Sequence, residues 1–388
     1  VSENFIVFGA AAIGQEEIDE VVDSLRSGWL GTGPKVARFE REFARYKAVP
    51  EGRATALNSC TAALHLSLLS LGLEPGDEVI TTPLTFCATV NTILHAGLKP
   101  VLADIDPVSL TIDPAAIEAA LTPRTRALLP VHYTGHPCAM DRIMAIAQRH
   151  ELKVVEDCAH AIETTFDGRP AGSFGDFGCF SFYVTKNVAC GEGGMVIGQD
   201  AAAIRRIKRL ALHGMDNDAW KRFGGAGYRS YAVVECGYKY NMMDLQAAIG
   251  IHQLARVESH WRQRRDLWER YQEAFRDLPV TTPAPLAERH RHGYHLYTLL
   301  IDPDASGIGR EDFIAGMTAR NIGVGIHYLS LPEHPYYREA LGWRPEDYPN
   351  AMRVGRQTVS LPCTPYLAPD EIDHVIDSVR ALIPGPSH

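Results

Sequence analysis

Lys186 comes one residue after an apolar run, Cys179 to Val184, that predicts a short buried strand. A glycine-rich turn, Gly191-Glu-Gly-Gly194, and a second apolar run, Met195 to Ile197, follow it. A lysine at the end of a buried strand is easily desolvated. Desolvation lowers its pKa and exposes a neutral amine that can form a Schiff base with an aldehyde. The same pattern alone also fits a solvated lysine at a strand end. Two neighbours in the pattern bear on the choice. Asp157 follows a predicted strand over Lys153–Glu156, at the edge where open α/β sheets bind ligands; the alternative is a helix N-cap. In Asn58-Ser-Cys-Thr-Ala-Ala-Leu-His65 a strand over Ala54–Leu57 gives way to a helix near Thr61, and free N–H groups at a helix start make an anion site.

An amine, a strand-end carboxylate and an anion cradle are what pyridoxal 5'-phosphate (PLP) requires. The lysine holds its aldehyde, the carboxylate pairs with its pyridinium nitrogen and the cradle takes its phosphate. No second lysine stands in the same sequence setting.

These segments, together with Gly28-Trp-Leu-Gly-Thr-Gly-Pro34, Glu156-Asp-Cys-Ala-His160 and Ser181-Phe-Tyr-Val-Thr-Lys-Asn187, occur in the order seen in a known family. Over nearly its whole length the chain resembles the DegT/DnrJ/EryC1/StrS family of PLP-dependent nucleotide-sugar aminotransferases. Val131-His-Tyr-Thr-Gly-His136, Gly237-Tyr-Lys-Tyr-Asn241 and Gly325-Ile-His-Tyr328 resemble the branch that aminates UDP-4-keto-pentose in lipid A modification.

The resemblance implies roles residue by residue. Lys186 holds the cofactor and then acts as the base of transamination. Asp157 pairs with the pyridine nitrogen, and His160 contacts the O3′ side. Phe86 stacks on the ring, with an ordinary core phenylalanine as the alternative. Cys60 and Thr61 take the phosphate through backbone N–H groups and the Thr61 hydroxyl, and Ser181 adds its side chain. Cys60 stands where many relatives carry Gly or Ala, a change of little consequence if the backbone does the binding. Asn241 reads locally as an N-cap with Asp244 at N3, close to a capping box. In the family this Asn reaches the phosphate in the neighbouring subunit, so a homodimer with shared active sites is expected. Tyr183 and His327 are candidates for substrate or cofactor contacts, and Arg229 and Lys239 for the nucleotide pyrophosphate; each also fits a solvated side chain. The implied substrates are L-glutamate and a nucleotide-linked keto-sugar, with amination expected at C4. Pyridoxamine 5'-phosphate is the half-reaction form. The implied roles in the cell are lipid A, other surface polysaccharide or secondary-metabolite amino-sugar synthesis. Amination at C3, amination of a keto-inositol, and a PLP-binding regulator without turnover are the alternatives.

The elements must bring these residues to one edge. Strands are predicted over Ala54–Leu57, Glu78–Thr81, Lys99–Ala103, Ala127–Val131, Lys153–Glu156, Cys179–Val184 and Met195–Ile197. Helices are predicted between most of them, at Thr61–Leu71, Phe86–Ala96, Pro114–Leu121 and Ala139–Arg149. This alternation predicts an α/β fold with a mostly parallel sheet sandwiched by helices. Amphipathic helices precede it at Gln15–Ser27 and Pro34–Tyr46. A basic helix over Ala201–Leu212, a mobile loop from His213 to Tyr231 and a long helix from Asn241 toward Phe275 follow. The proline-rich stretch from Pro279 divides a large domain, 1–278, from a small C-terminal α/β domain, 279–388, with strands at His295–Ile301 and Gly323–His327. Its helices are Glu311–Arg320, Ala351–Val359 and Pro369–Leu382. The resemblance implies fold type I.

Composition narrows the function classes. With 46% hydrophobic and 22% charged residues among 388, an ordinary globular core is expected. A net charge of −9, with no basic cluster interleaved with aromatics, argues against nucleic acid. The eight cysteines form no C-x-x-C pair and mostly sit in apolar runs, so reduced buried thiols in a cytoplasmic protein are expected. The sixteen histidines show no metal-ligand spacing, and no metal is expected. No apolar run reaches 18 residues and no signal-peptide pattern opens the chain, so no membrane partner is expected.

Overall fold

The computed structural model describes residues 4–216 and 232–383. Arg229 and most of the predicted 213–231 loop lie outside the described residues. In chain order the first half carries α1 (Gln15–Ser27), α2 (Pro34–Tyr46), β1 (Ala54–Leu57), α3 (Cys60–Leu69), β2 (Glu78–Thr81), α4 (Cys87–His95), β3 (Lys99–Leu102) and α5 (Pro114–Ala120). Then come β4 (Thr125–Leu128), α6 (Met140–Arg149), β5 (Lys153–Asp157), β6 (Thr165–Phe166), β7 (Arg169–Pro170), β8 (Phe177–Ser181), β9 (Gly194–Gly198) and α7 (Ala201–Leu210). The rest comprises α8 (Asp244–Ala255), α9 (Val257–Ala274), β10 (Tyr297–Leu300), α10 (Pro303–Ser306), α11 (Arg310–Thr318), α12 (Pro335–Leu341), α13 (Pro349–Gln357), β11 (Thr358–Leu361) and α14 (Pro369–Leu382).

Seven strands form one sheet in the order β1-β9-β8-β5-β4-β2-β3. The pairings from β3 across to β8 are parallel, and β9 runs antiparallel to both its neighbours. β1, β2, β5, β8 and β9 are buried along almost their whole length, as strands covered on both faces must be. Leu57, Val155, Cys179 and Val196 pack under α3 and α7. The alternate residues Ala56, Phe180 and Met195 face the opposite layer, where Val36, Phe39 and Phe43 of α2 meet Ala247 and Ile251 of α8. Ile80, Leu128 and Val154 extend that face under α5 and α6. A further core joins Leu267, Trp268 and Tyr271 of α9 to β10, β11, α11 and α14.

Differences from the sequence reading have local causes. The strand predicted over 179–184 is shifted to Phe177–Ser181, because the chain turns away at Phe182 to reach the Lys186 turn. The long helix from Asn241 is two helices that break at Arg256. The helix predicted over 351–359 ends at Gln357, and Thr358 and Val359 belong to β11. Residues 323–327 make only an isolated bridge, Gly325 to Ser360, so β10 and β11 pair alone.

Six of the eight free cysteines are buried, Cys87 is half-buried and Cys236 is exposed. No helix among the described residues is long and apolar enough to cross a membrane.

Candidate active site

The carboxyl ends of β1, β5 and β8 lie side by side with the start of β9, and the predicted residues sit on the connections that leave this edge. After β1, Ser59 caps α3 by accepting from Ala62 N at 3.1 Å. The N–H groups of Cys60 and Thr61 then open the helix with no intrahelical acceptor. Gly194, at the start of β9, lies so close that a Cβ there would meet Ser59 O at 2.4 Å and Cys60 N at 2.6 Å. A side chain would push the α3 start off the sheet. Ser181 ends β8, and its Oγ accepts from Tyr183 N at 3.3 Å.

Asp157 ends β5 in a buried position. Thr89 Oγ1 donates to its Oδ2 at 2.9 Å and Ala159 N to its Oδ1 at 3.1 Å. Burial raises its pKa, against those donors and the charge of Lys186. Its N-cap-like bond to Ala159 orients the carboxylate and leaves acceptor capacity for a cation.

Lys186 is half-buried in the turn after β8. Burial pushes its amine down to about 8, with Cys60 and Asp157 as its nearest electrostatic partners pulling the other way. Among the described residues Nζ has no hydrogen-bonded acceptor. Lys186, Cys60 and Asp157 are thus electrostatic neighbours at one sheet edge. Three neutral histidines face the same lysine: His160, His295 and His327 are all depressed by burial first and by Lys186 next, His327 to about 4.

His160 is engaged at both nitrogens, Nδ1 with Thr134 N at 3.2 Å and Nε2 with Tyr328 OH at 3.0 Å. Tyr328 stacks on the His160 ring and lies 5.8 Å from the Phe86 ring. Phe86 is 56% exposed, so the core-phenylalanine alternative falls; its apolar ring lies bare beside the site. His327 stacks on Phe8 and bonds Ser360 Oγ through Nδ1 at 2.9 Å. Tyr183 is 45% exposed and Lys239 is exposed, its carbonyl accepting from Asn58 Nδ2 at 3.4 Å.

Asn241 does not cap a helix. It bridges to Leu57, and α8 begins three residues later with Met243 at its N-cap. Asp244 serves another helix: its buried carboxylate accepts from Gly33, Lys35 and Val36 N–H, capping α2. Asn241 Nδ2 donates to Thr32 Oγ1 at 2.7 Å, and Thr32 donates to Met242 O at 2.6 Å. The Gly28–Pro34 loop is pinned to the Asn241 segment by these bonds.

The sequence reading missed Thr89, Thr134, Asn187, His295 and Tyr328. Asn187 Nδ2 donates to Glu163 and to Gly293 O, which turns its Oδ1 toward His295 Nδ1 at 2.9 Å. Its position beside Lys186 was the available signal, and Thr134 and Tyr328 lie inside the 131–136 and 325–328 segments; Thr89 carried none.

Two other clusters are structural. Lys47, 1% exposed, is also pushed by burial to about 8, but it donates to Ile162 O at 2.9 Å and lies over the Phe180 ring. His132, Glu156 and Cys158 bring three ligand atoms within 4.8 Å. The Glu156 oxygens are already taken by Gly172, Phe174 and Gly175 N–H and by His132 Nε2, so they hold the 172–175 turn.

The comparisons with known proteins agree with this geometry. The DegT/DnrJ/EryC1/StrS aminotransferase family model matches residues 11–380. The chain belongs to that family. It is 47% identical over 383 residues to the spore coat polysaccharide biosynthesis protein SpsC of Bacillus subtilis (strain 168), covering 98% of each chain. Spr1654 of Streptococcus pneumoniae, solved in its PMP form, aligns with a TM-score of 0.90 at 32% identity, covering 97% of this chain and 98% of that one. Helicobacter pylori PseC, an aminotransferase involved in the biosynthesis of pseudoaminic acid, aligns with a TM-score of 0.90 at 25% identity, covering 98% and 99%. The family member described here is an aminotransferase of fold type I.

Proposed function

We propose that the chain transfers an amino group from L-glutamate to the keto carbon, C4, of a nucleotide-linked keto-sugar, with PLP held at Lys186. The observation that carries this reading is the Lys186 amine, depressed to about 8 and without an acceptor among the described residues, at one sheet edge with Asp157 and Cys60 of the α3 start as its electrostatic neighbours. The residues fit the cofactor. Lys186 Nζ would take its aldehyde, Asp157 its pyridine nitrogen, and the open N–H groups of Cys60 and Thr61 with Ser181 its phosphate. Phe86 offers a bare ring face. Bound PLP supplies an electron sink for the pair released when a C–H bond next to nitrogen breaks.

The residues do the rest. Asp157 keeps a cation across from it protonated, because a neutral partner would leave a buried charge unpaired. Lys186 Nζ, as a free neutral amine, would take up and return a proton at the reacting centre. The neutral histidines add no competing positive charge beside that amine.

The sugar class draws support from two relatives, SpsC in spore coat polysaccharide biosynthesis and PseC in pseudoaminic acid biosynthesis. The choice of a UDP-4-keto-pentose rests on residues 131–136, 237–241 and 325–328. All three segments border the site through Thr134, Asn241 and Tyr328. Residues 1–278 form the cofactor-binding unit in this reading, and 279–388 lend His295, His327 and Tyr328. The active form is a cytoplasmic homodimer. Asn241 Nδ2 keeps a second hydrogen for the phosphate in the neighbouring subunit, and its Oδ1 is buried without a partner among the described residues. Tyr183, Lys239 and His327 are the substrate-binding candidates within the described residues, and Arg229, outside them, is a candidate from the sequence alone.

The test is single turnover. The protein is loaded with PLP, converted with L-glutamate and offered UDP-4-keto-pentose, a dTDP-4-keto-hexose, a 3-keto-sugar nucleotide and a keto-inositol. Fastest formation of a 4-amino sugar nucleotide supports the reading; faster amination of the last two replaces C4 with the alternative acceptor. Glutamate conversion with no acceptor turned over by the panel counts against the keto-sugar assignment.

A further inference from the structure

The hydrogen bonds of His160 have a fixed direction. Thr134 N–H is a donor, so His160 Nδ1 must accept it, and an accepting nitrogen carries no proton. The proton of the neutral ring is therefore on Nε2, which donates to the Tyr328 oxygen. The backbone holds this arrangement. Thr134 sits at φ +60 and Gly135 at φ +96, and a Cβ on Gly135 would meet Gly293 Cα and His160 O at 3.0 Å. A left-handed β-branched residue is costly and persists only where its surroundings over-determine it.

Tyr328 thus accepts from His160, and its own hydrogen has to point elsewhere. Among the described residues no acceptor takes it. The phenol lies beside the Phe86 ring and has Asp157 among its electrostatic neighbours. We propose that the Tyr328 hydroxyl is an obligate donor into the active site, oriented by Thr134 N–H through His160, and that it binds a negatively charged oxygen of the cofactor or the keto-sugar. Tyr328 is the ligand-touching group here and His160 the positioning residue. The inference rests on the PLP reading above.

The test compares Tyr328→Phe, His160→Gln and His160→Phe with the wild type. PLP affinity and the pH dependence of its bound visible band are measured without substrates, followed by KM for UDP-4-keto-pentose. A hydrogen bond to a charged acceptor is worth about tenfold to a hundredfold in affinity. Tyr328→Phe is expected to weaken PLP, or to raise KM, by that much. A change in the substrate-free titration assigns the acceptor to the cofactor; a change in KM alone assigns it to the sugar. His160→Gln restores both directions, since an amide oxygen can accept from Thr134 and its NH₂ can donate to Tyr328. It is expected to lose less PLP affinity than His160→Phe, which follows Tyr328→Phe. The inference is overturned if Tyr328→Phe matches wild type in both readouts, or if His160→Gln is as damaging as His160→Phe. Failure of the wild type to bind PLP overturns the reading of the site as well, and is told apart by that control.

Discussion

Lys47 and Lys186 are both pushed by burial to about 8, and they sit in different parts of the same sheet sandwich. Lys47 ends α2 inside the core, committed to Ile162 O and to the face of Phe180. Lys186 stands at the carboxyl edge, in the turn after β8, with no acceptor among the described residues. The difference shows that a depressed amine is not in itself a reactive one. Reactivity needs a lone pair that nothing else uses, an edge that a ligand can reach, and a carboxylate and anion cradle on the same edge. Lys47 has the first-order electrostatics and none of the rest.

Removing each lysine's amine in turn gives the largest contrast. Lys186→Ala is expected to lower amino transfer by at least about a thousandfold. Lys47→Met is expected to leave PLP attachment and turnover within about threefold of wild type, since it touches nothing on the site edge. Progress curves with L-glutamate measure both, and equal losses would erase the distinction.

The stability contrast comes next. An unfolded lysine keeps its proton to about 10.5, whereas folded Lys47 releases it near 8. Between these values the unfolded state binds more protons, so stability rises with pH across the window. Lys47→Met is expected to flatten that rise by up to about 3 kcal/mol, read from urea unfolding at pH 7.5 and pH 10.5. An unchanged pH slope would mean Lys47 is not depressed.

For Lys186 the same sign appears as kinetics. Only the neutral amine attacks an aldehyde, and its fraction falls about tenfold per pH unit below about 8. PLP attachment to the apoprotein is expected to slow about tenfold from pH 7.5 to pH 6.5 and to level off above pH 8.5. A rate still climbing steeply toward pH 10 would place Lys186 among ordinary solvated lysines.

The smallest effect is at the ring wall. Phe86→Ala removes a stacking face worth about 0.5–1.5 kcal/mol beyond burial. PLP affinity is expected to fall about threefold to tenfold, with folding intact because the ring is exposed.

Much of this edge was legible from the chain. Buried strands with no alternation, helices between them and turn residues at their carboxyl ends placed Lys186, Asp157 and the α3 start correctly relative to one another. The boundaries of α1, α2, β1, β2 and α14 agree with their sequence patterns. What pattern could not give was who bonds to whom across the fold. Asn241 followed by Asp244 looks like a local cap, yet Asp244 caps α2, more than 200 residues away in sequence. Lys47 resembles any helix-end lysine until the sandwich closes over it. Thr134 and Tyr328 acquire their roles only when the 131–136 turn meets the C-terminal unit at His160. Non-local partners of this kind leave no periodic trace.

The most direct measurement is an absorbance scan of the purified protein with PLP, before and after L-glutamate, on wild type, Lys186→Ala and Lys47→Met. The account predicts a visible band in wild type and Lys47→Met that collapses on glutamate, and no lysine-attached band in Lys186→Ala. A wild type that takes up no PLP when supplied in excess, or a band that survives in Lys186→Ala and is lost in Lys47→Met, would contradict it.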